Sequence, residues 1–200
     1  MLPDFATMIG TRPPGVSHPE LADGVRYHHA TDRVFHETPT FRALQADARR
    51  TLREMGLPRP SALAVGHIGV EILLDSVLAA DKAAVAAYLA AIREGRRGAF
   101  GDHIDWADPG TRERYEQLRE ALAERGAAGD TGTPRAVAWR VTRALAARPR
   151  LRLDAAGELL VHSWAEATRP IVLRASDGLI GQIRAGLGDA ILAHRPEPFG

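Results

Sequence analysis

The stretch from Ser61 to Ala80, SALAVGHIGVEILLDSVLAA, constrains this chain most, because apart from Ser76 its polar side chains between His67 and Leu78 fall on one line. Ser61 ahead of a run of good helix formers reads as an N-cap and a helix. A step of four residues advances only about 40° around a helix, so His67, Glu71 and Asp75 share one narrow stripe. Leu63, Val65, Ile68, Val70, Ile72, Leu73, Leu74, Val77 and Leu78 cover the remaining circumference, which predicts a helix buried on nearly all sides. Two carboxylates side by side in such surroundings repel each other, and a buried charge without compensation is costly. The compensating charge is either a metal ion, for which His with carboxylates suits manganese, iron or zinc, or arginines of a facing helix in a structural ion-pair stripe.

β-branched alternation of period two is nearly absent, so the pattern predicts an all-α chain, a single domain over residues 1–200. Residues 1–16, rich in Pro and Gly, read as a loop. Ser17-His18-Pro19-Glu20 reads as a capping box opening a helix to about His36. Thr38-Pro39 opens the next, ended by Gly56 after Met55, with Arg42, Arg49, Arg50 and Arg53 on its exposed face. Asp81 caps a helix through Ile92, and residues 95–111 form the longest irregular stretch, in which His103, Asp105 and Trp106 are candidates for a site mouth. A polar helix covers about Arg112 to Arg125. Thr133-Pro134 opens a helix stopped by Pro149, and Asp154 to about His194 is one long helix kinked at Pro170 or two stacked ones. Trp139 and Trp164 read as core residues.

Charge and composition exclude more than they assign. The formal net charge of +1 gives no global attraction to nucleic acid or membrane. The absence of cysteine rules out disulfides, thiolate metal sites and cysteine nucleophiles. No uninterrupted apolar run reaches the roughly 18 residues of a membrane span, and MLPDFATMIG lacks the basic start of a signal peptide, so the expected compartment is the cytoplasm. Walker-type phosphate loops, GxSxG elbows, dinucleotide fingerprints and HExxH motifs are all missing.

A second ligand line lies in the helix from Glu20 to His36, where His28, Asp32 and His36 repeat the four-residue spacing. If the two stripes face each other, six candidate ligands converge, as in helix-bundle metal sites built from inward-facing His and carboxylates. A metal there lowers the pKa of water toward neutrality and makes a nucleophile for phosphoester or amide hydrolysis. Arg135, Arg140, Arg143, Arg148, Arg150 and Arg152 form a stretch without acidic residues that suits a phosphate group or an acidic protein, or is simply a solvated face.

Four segments together carry a family resemblance: Leu2-Pro3-Asp4-Phe5, Gly24-Val25-Arg26-Tyr27-His28-His29-Ala30-Thr31-Asp32, Val70 through Leu78 (VEILLDSVL), and Arg148-Pro149-Arg150-Leu151. In this order they resemble the acyl carrier protein phosphodiesterase family. The resemblance implies an all-α, HD-like metal phosphohydrolase that releases 4′-phosphopantetheine from holo-acyl carrier protein with a divalent metal, typically manganese. By that resemblance Asp4 matches the Asp of an L-x-D-F motif. His28 and Asp32 match the second His and the Asp of G-I-H-x-H-R-x-I-D, and Glu71 and Asp75 match the two acidic positions of D-x-x-x-D-H-F-L. The chain departs from the pattern at Arg26 and Ser76, which stand where the family has histidines. His36 stands where an Asp is common, and His67 is additional. Family members begin with a further apolar, His-containing helix, whereas here Met1 falls just before the Asp motif.

The expected function is therefore a metal-dependent phosphodiesterase acting on acyl carrier protein or a small phosphoester. Asp4, His28, Asp32, Glu71 and Asp75 are the expected metal ligands, His36 and His67 further ligands or acid/base groups, and Arg26, Arg148 and Arg150 the phosphate contacts. The expected cofactor is a divalent metal, manganese first, with iron, zinc or magnesium as alternatives. The competing expectation is a non-catalytic helical binding module in which arginines such as Arg26 replace the ion. A di-iron oxidative site is a third, disfavoured by the missing Glu-x-x-His pairs. The oligomeric state cannot be read from the sequence.

Overall fold

A computed structural model describes residues 2–97, 99–125 and 132–193. The chain is all-α. Its described elements are α1 (Leu2–Met8), β1 (Gly15–Val16), α2 (Pro19–Glu37), α3 (Pro39–Glu54), α4 (Arg59–Leu78), α5 (Lys82–Arg97), a short 3-10 helix (Ala99–His103), β2 (Ile104–Asp105), α6 (Pro109–Arg125), α7 (Pro134–Leu145) and α8 (Ala155–Ala193). They fall into two compact units, Met1–Arg33 with Lys82–Ala128 and Val34–Asp81 with Gly129–Gly200.

In the first unit the N-terminal segment is not the loop expected of it. Pro3 lies in the first turn of α1, where its missing N–H costs nothing. Phe5 and Ala6 are buried, Phe5 against the ring of Tyr115 on α6 at 5.8 Å. Gly10, at φ 73°, closes the helix, with its own N–H donating to Thr7 and that of Thr11 to Ala6. The stretch 95–111 is also more regular than expected. α5 runs on to Arg97, and β2 pairs antiparallel with β1 in the register Gly15↔Asp105 and Val16↔Ile104. A Cβ at Gly15 would come to 2.5 Å from the Asp105 carboxylate. α6 starts at Pro109, ahead of the expected Arg112, because Asp108 caps it: both the Thr111 N–H and its hydroxyl donate to the carboxylate at 2.8 Å. Trp106 donates its indole N–H to the Gly101 carbonyl and packs on Tyr115.

The second unit holds the last turn of α2 together with α3, α4, α7 and α8. α3 buries Phe41, Leu44, Ala48 and Leu52, spaced three or four apart so that they form one face. Met55, Gly56 and Leu57 end it as a Schellman turn. Gly56 sits at φ 100°, its N–H donates to the Arg53 carbonyl at 3.0 Å and that of Leu57 to Leu52 at 2.9 Å, and Leu57 is buried. This turn sends α4 back along α3. α4 begins at Arg59, two residues before the expected Ser61, and Ser61 is buried in its first turn instead of capping it.

Two glycines of α4 set how closely its neighbours approach. A Cβ at Gly66 would lie 3.1 Å from Arg49 Cγ and 3.4 Å from Ala48 Cβ, and one at Gly69 would lie 2.6 Å from the ring of Trp164 on α8. α4 thus packs α3 on one side and α8 on the other. It is long and apolar enough to cross a membrane by length and composition, with a mean hydropathy of 1.5, but half of it is buried within this unit. The expectation of burial on nearly all sides fails, since Leu63 and Leu78 are exposed. α7 is capped by Thr133, whose hydroxyl accepts from the Ala136 N–H, and buries Val137, Val141 and Leu145. It ends at Leu145, before Pro149 is reached. α8 is one helix. Asp154 caps it through the Gly157 N–H at 2.7 Å, and Pro170 is exposed, as is Glu166, whose carbonyl it leaves without a helix donor, so water can satisfy that carbonyl.

Candidate metal centre

The one-residue corner at Thr38, between α2 and α3, delivers the first ligand. Thr38, buried, donates its hydroxyl to the Phe35 carbonyl and accepts from the Phe41 N–H, so the end of α2 and the start of α3 share one side chain. His36 is thereby held on the last turn of α2 with its ring 5.0 Å from that of buried Phe41. α4, returning along α3, brings His67 to the same phenyl ring at 5.8 Å and lays its imidazole on that of His36, with centroids 5.0 Å apart and planes 15° from parallel. Glu71, one turn further along α4, completes the group. Its Oε1 lies 3.6 Å from His36 Nε2 and 3.3 Å from His67 Nε2.

One donor atom from each of His36, His67 and Glu71 fits within a span of 4.8 Å, which suits a metal ion. Ligand bonds of about 2.0–2.2 Å place neighbouring donors roughly 3–3.5 Å apart around one ion. The 3.3 Å distance falls in that spacing and the 3.6 Å one just beyond it, and two imidazoles with one carboxylate are a familiar donor set for a divalent transition metal. The side chains are about one-third exposed, 30 % for His36, 40 % for His67 and 32 % for Glu71. The stripe is thus a half-open edge of α4, not the buried line that the apolar sequence suggests.

Gln45 of α3 supports His67 from behind, with its amide nitrogen 2.5 Å from Nδ1. This contact couples the amide orientation to the tautomer. For His67 Nε2 to offer a lone pair to a metal, Nδ1 carries the proton and the amide presents its oxygen. With the amide donating through nitrogen, the proton sits on Nε2 and faces Glu71. Sequence reading missed Gln45 altogether, since a single amide on a polar helix face carries no spacing signal.

The remaining expected site residues are placed differently. Asp75 is 63 % exposed, one turn past Glu71, with Arg140 Nη2 at 3.9 Å, so it is a surface carboxylate and not a buried one. Ser76 turns its hydroxyl back to the Leu73 carbonyl at 2.6 Å, against Gly132. Asp4, His28 and Asp32 belong to the first unit, where His28 Nε2 lies 3.6 Å from the Asp4 carboxylate. Arg26 pairs with Asp23 one turn earlier on α2. Of the expected six-ligand convergence of His28, Asp32, His36, His67, Glu71 and Asp75, the second unit brings together His36, His67 and Glu71.

Arg148 and Arg150 are exposed in the turn between α7 and α8. Trp139, expected in the core, is 57 % exposed and carries the Arg143 guanidinium at 5.7 Å over its ring, whereas Trp164 is buried as expected. Of the expected site-mouth residues, His103 lies against Ser17 and the ring of His18, Asp105 pairs with Gly15 in the β1–β2 ladder, and Trp106 packs on Tyr115 of α6. No family model, no curated protein and no solved structure matches this chain.

Proposed function

We propose that this protein is a metal-dependent hydrolase of phosphoesters, with one divalent ion held by His36, His67 and Glu71. The observation that supports it is the convergence of these three donors, from two different helices, within 4.8 Å of one another. Three protein donors at a half-exposed edge suit a catalytic site, which keeps a position open, better than a closed structural one. The ion would supply an acidified water and neutralise phosphate charge. Gln45 would fix the His67 tautomer, and Phe41 would hold both imidazoles in place. Asp75, with Arg140 beside it, is the nearest carboxylate along α4 to accept a proton at the rim. Manganese is the first choice of metal, with iron, zinc and magnesium next. The finer reading, release of 4′-phosphopantetheine from acyl carrier protein in the cytoplasm, is supported only by the resemblance of the Asp4, His28–Asp32 and Glu71–Asp75 segments, with Arg26, Arg148 and Arg150 as phosphate contacts.

The test is hydrolysis of bis(p-nitrophenyl) phosphate and of holo-acyl carrier protein with added Mn²⁺, comparing the wild type with Glu71→Ala. The proposal expects metal-dependent turnover that the substitution abolishes while the circular dichroism spectrum stays unchanged. Turnover that survives in Glu71→Ala would remove this centre from the mechanism. A second reading, a non-catalytic binding module whose acids are met by arginines, is favoured by the Asp75–Arg140 approach alone.

A further inference from the structure

The groove between α3 and α4 is lined with arginine and has a volume of about 610 Å³. Arg49, Arg50 and Arg53 of α3 and Arg59 of α4 face it, against the single carboxylate of Glu54. Arg50 is engaged by Asp47. Arg49, Arg53 and Arg59 have no carboxylate partner among the described residues. The decisive group is Arg49, because its Nε is fully buried and makes no hydrogen bond, while its stem crosses α4 in the notch that Gly66 leaves open. The buried Nε marks how firmly the stem is held, and the guanidinium groups of Arg49, Arg53 and Arg59 along the groove are the charge an anion entering it would meet.

We infer that this groove binds the phosphate group of a small ligand, a phosphomonoester or diphosphate. Arginine suits this chemistry because its planar fork of donors matches phosphate oxygens. A small ligand is favoured over an acidic protein surface because a groove of about 610 Å³ is the size of a small-molecule site.

The helix register also ties the groove to the candidate metal centre. Arg49 follows Gln45 by four residues on α3, and Leu63 precedes His67 by four on α4, so the groove begins one helical turn, about 6 Å, from the Gln45–His67 contact. A substrate bearing a second phosphate distal to the scissile ester would therefore place that phosphate among Arg49, Arg53 and Arg59. That link to hydrolysis rests on the proposed function, whereas binding in the groove does not.

The experiment is calorimetric titration of the full chain with inorganic phosphate and with pyrophosphate, in EDTA so that no metal contributes, for wild type, Arg49→Lys, Arg53→Ala and Glu71→Ala. Arg49→Lys keeps the charge and loses the planar fork of guanidinium donors, and Arg53→Ala changes an exposed side chain that folding does not need. The expected result is saturable binding, tighter for pyrophosphate and weaker in high salt. The affinity falls at least tenfold in Arg49→Lys and Arg53→Ala and is unchanged in Glu71→Ala. Binding that is absent from the wild type, or equal in all four proteins, overturns the inference. Response to an acidic protein such as holo-acyl carrier protein but not to either phosphate also overturns it. Because the titration excludes metal, a failure of the metal proposal leaves these outcomes untouched.

Discussion

Gly69→Ala tests whether the packing that positions α4 is as tight as the structure requires. The added methyl would sit 2.6 and 2.7 Å from two ring carbons of Trp164, which is 1 % exposed. Carbon contacts are comfortable at about 3.5–4.0 Å, so the ring or the helix must retreat by roughly 1 Å within a packed core. Overpacking of this kind costs about 1–3 kcal/mol, and a rigid, fully buried indole belongs at the upper end. Replacing glycine by alanine inside a helix returns about 1 kcal/mol. The net effect is a loss of about 2 kcal/mol, a fall in Tm of roughly 4–8 °C for a chain of this length. Gly178→Ala on α8 is the control, since nothing lies within 4 Å of its added methyl. That variant gains the propensity term alone and rises by roughly 2 °C. Thermal unfolding by circular dichroism, with urea midpoints beside it, reads both. If Gly69→Ala is stabilised like Gly178→Ala, α4 and α8 are not packed as described.

Other substitutions probe separate parts of the account. With its amide oxygen turned to Nδ1, Gln45 holds the His67 tautomer whose Nε2 is free for a metal, so Gln45→Leu should weaken Mn²⁺ binding about 10–100-fold, as read by calorimetry. Arg119, largely buried, pairs with Glu116 and donates to the Ile92 carbonyl at 3.1 Å. Arg119→Ala should cost about 2 kcal/mol in urea unfolding by removing a buried charge-assisted hydrogen bond. Burial raises the Tyr115 phenol above its ordinary 10.0. Its contribution is therefore complete below pH 10 and is lost as the pH rises through the folded value, so Tyr115→Phe should flatten the alkaline decline of Tm. Hydrogen bonds from the Thr111 hydroxyl and N–H hold Asp108 below the usual carboxylate range. The destabilisation by Asp108→Ala should therefore be full at neutral pH and shrink as the pH falls through the folded pKa.

What could be read from the sequence was local chemistry. Thr38-Pro39, Gly56, Thr133-Pro134 and Asp154 each satisfy orphan helix-end groups with their own side chain or backbone, and each boundary falls where that chemistry puts it. The same punctuation misled where its meaning depends on packing. Pro3 and Gly10 looked like a loop but begin and end α1, which forms because Phe5 finds Tyr115 more than a hundred residues away. Asp108-Pro109-Gly110 carries both a turn signal and a helix-start signal, and the cap on Thr111 decides it. The stripe of His67, Glu71 and Asp75 was visible in its spacing. Its exposure was not, because a circumference of apolar residues does not say which of them, like Leu63, stays exposed. His36 joins the stripe only through the Thr38 corner, and Gly66 and Gly69 read as helix costs until Arg49 and Trp164 occupy their notches.

The most direct test of the central claim is the metal content of tag-free protein purified without chelators, measured by elemental mass spectrometry beside Glu71→Ala. The account predicts roughly one equivalent of manganese, iron or zinc in the wild type and its loss in the variant, since two imidazoles alone hold a divalent ion poorly. No metal in the wild type and none taken up on addition of Mn²⁺ or Zn²⁺, or equal metal in both proteins, would contradict a centre at His36, His67 and Glu71.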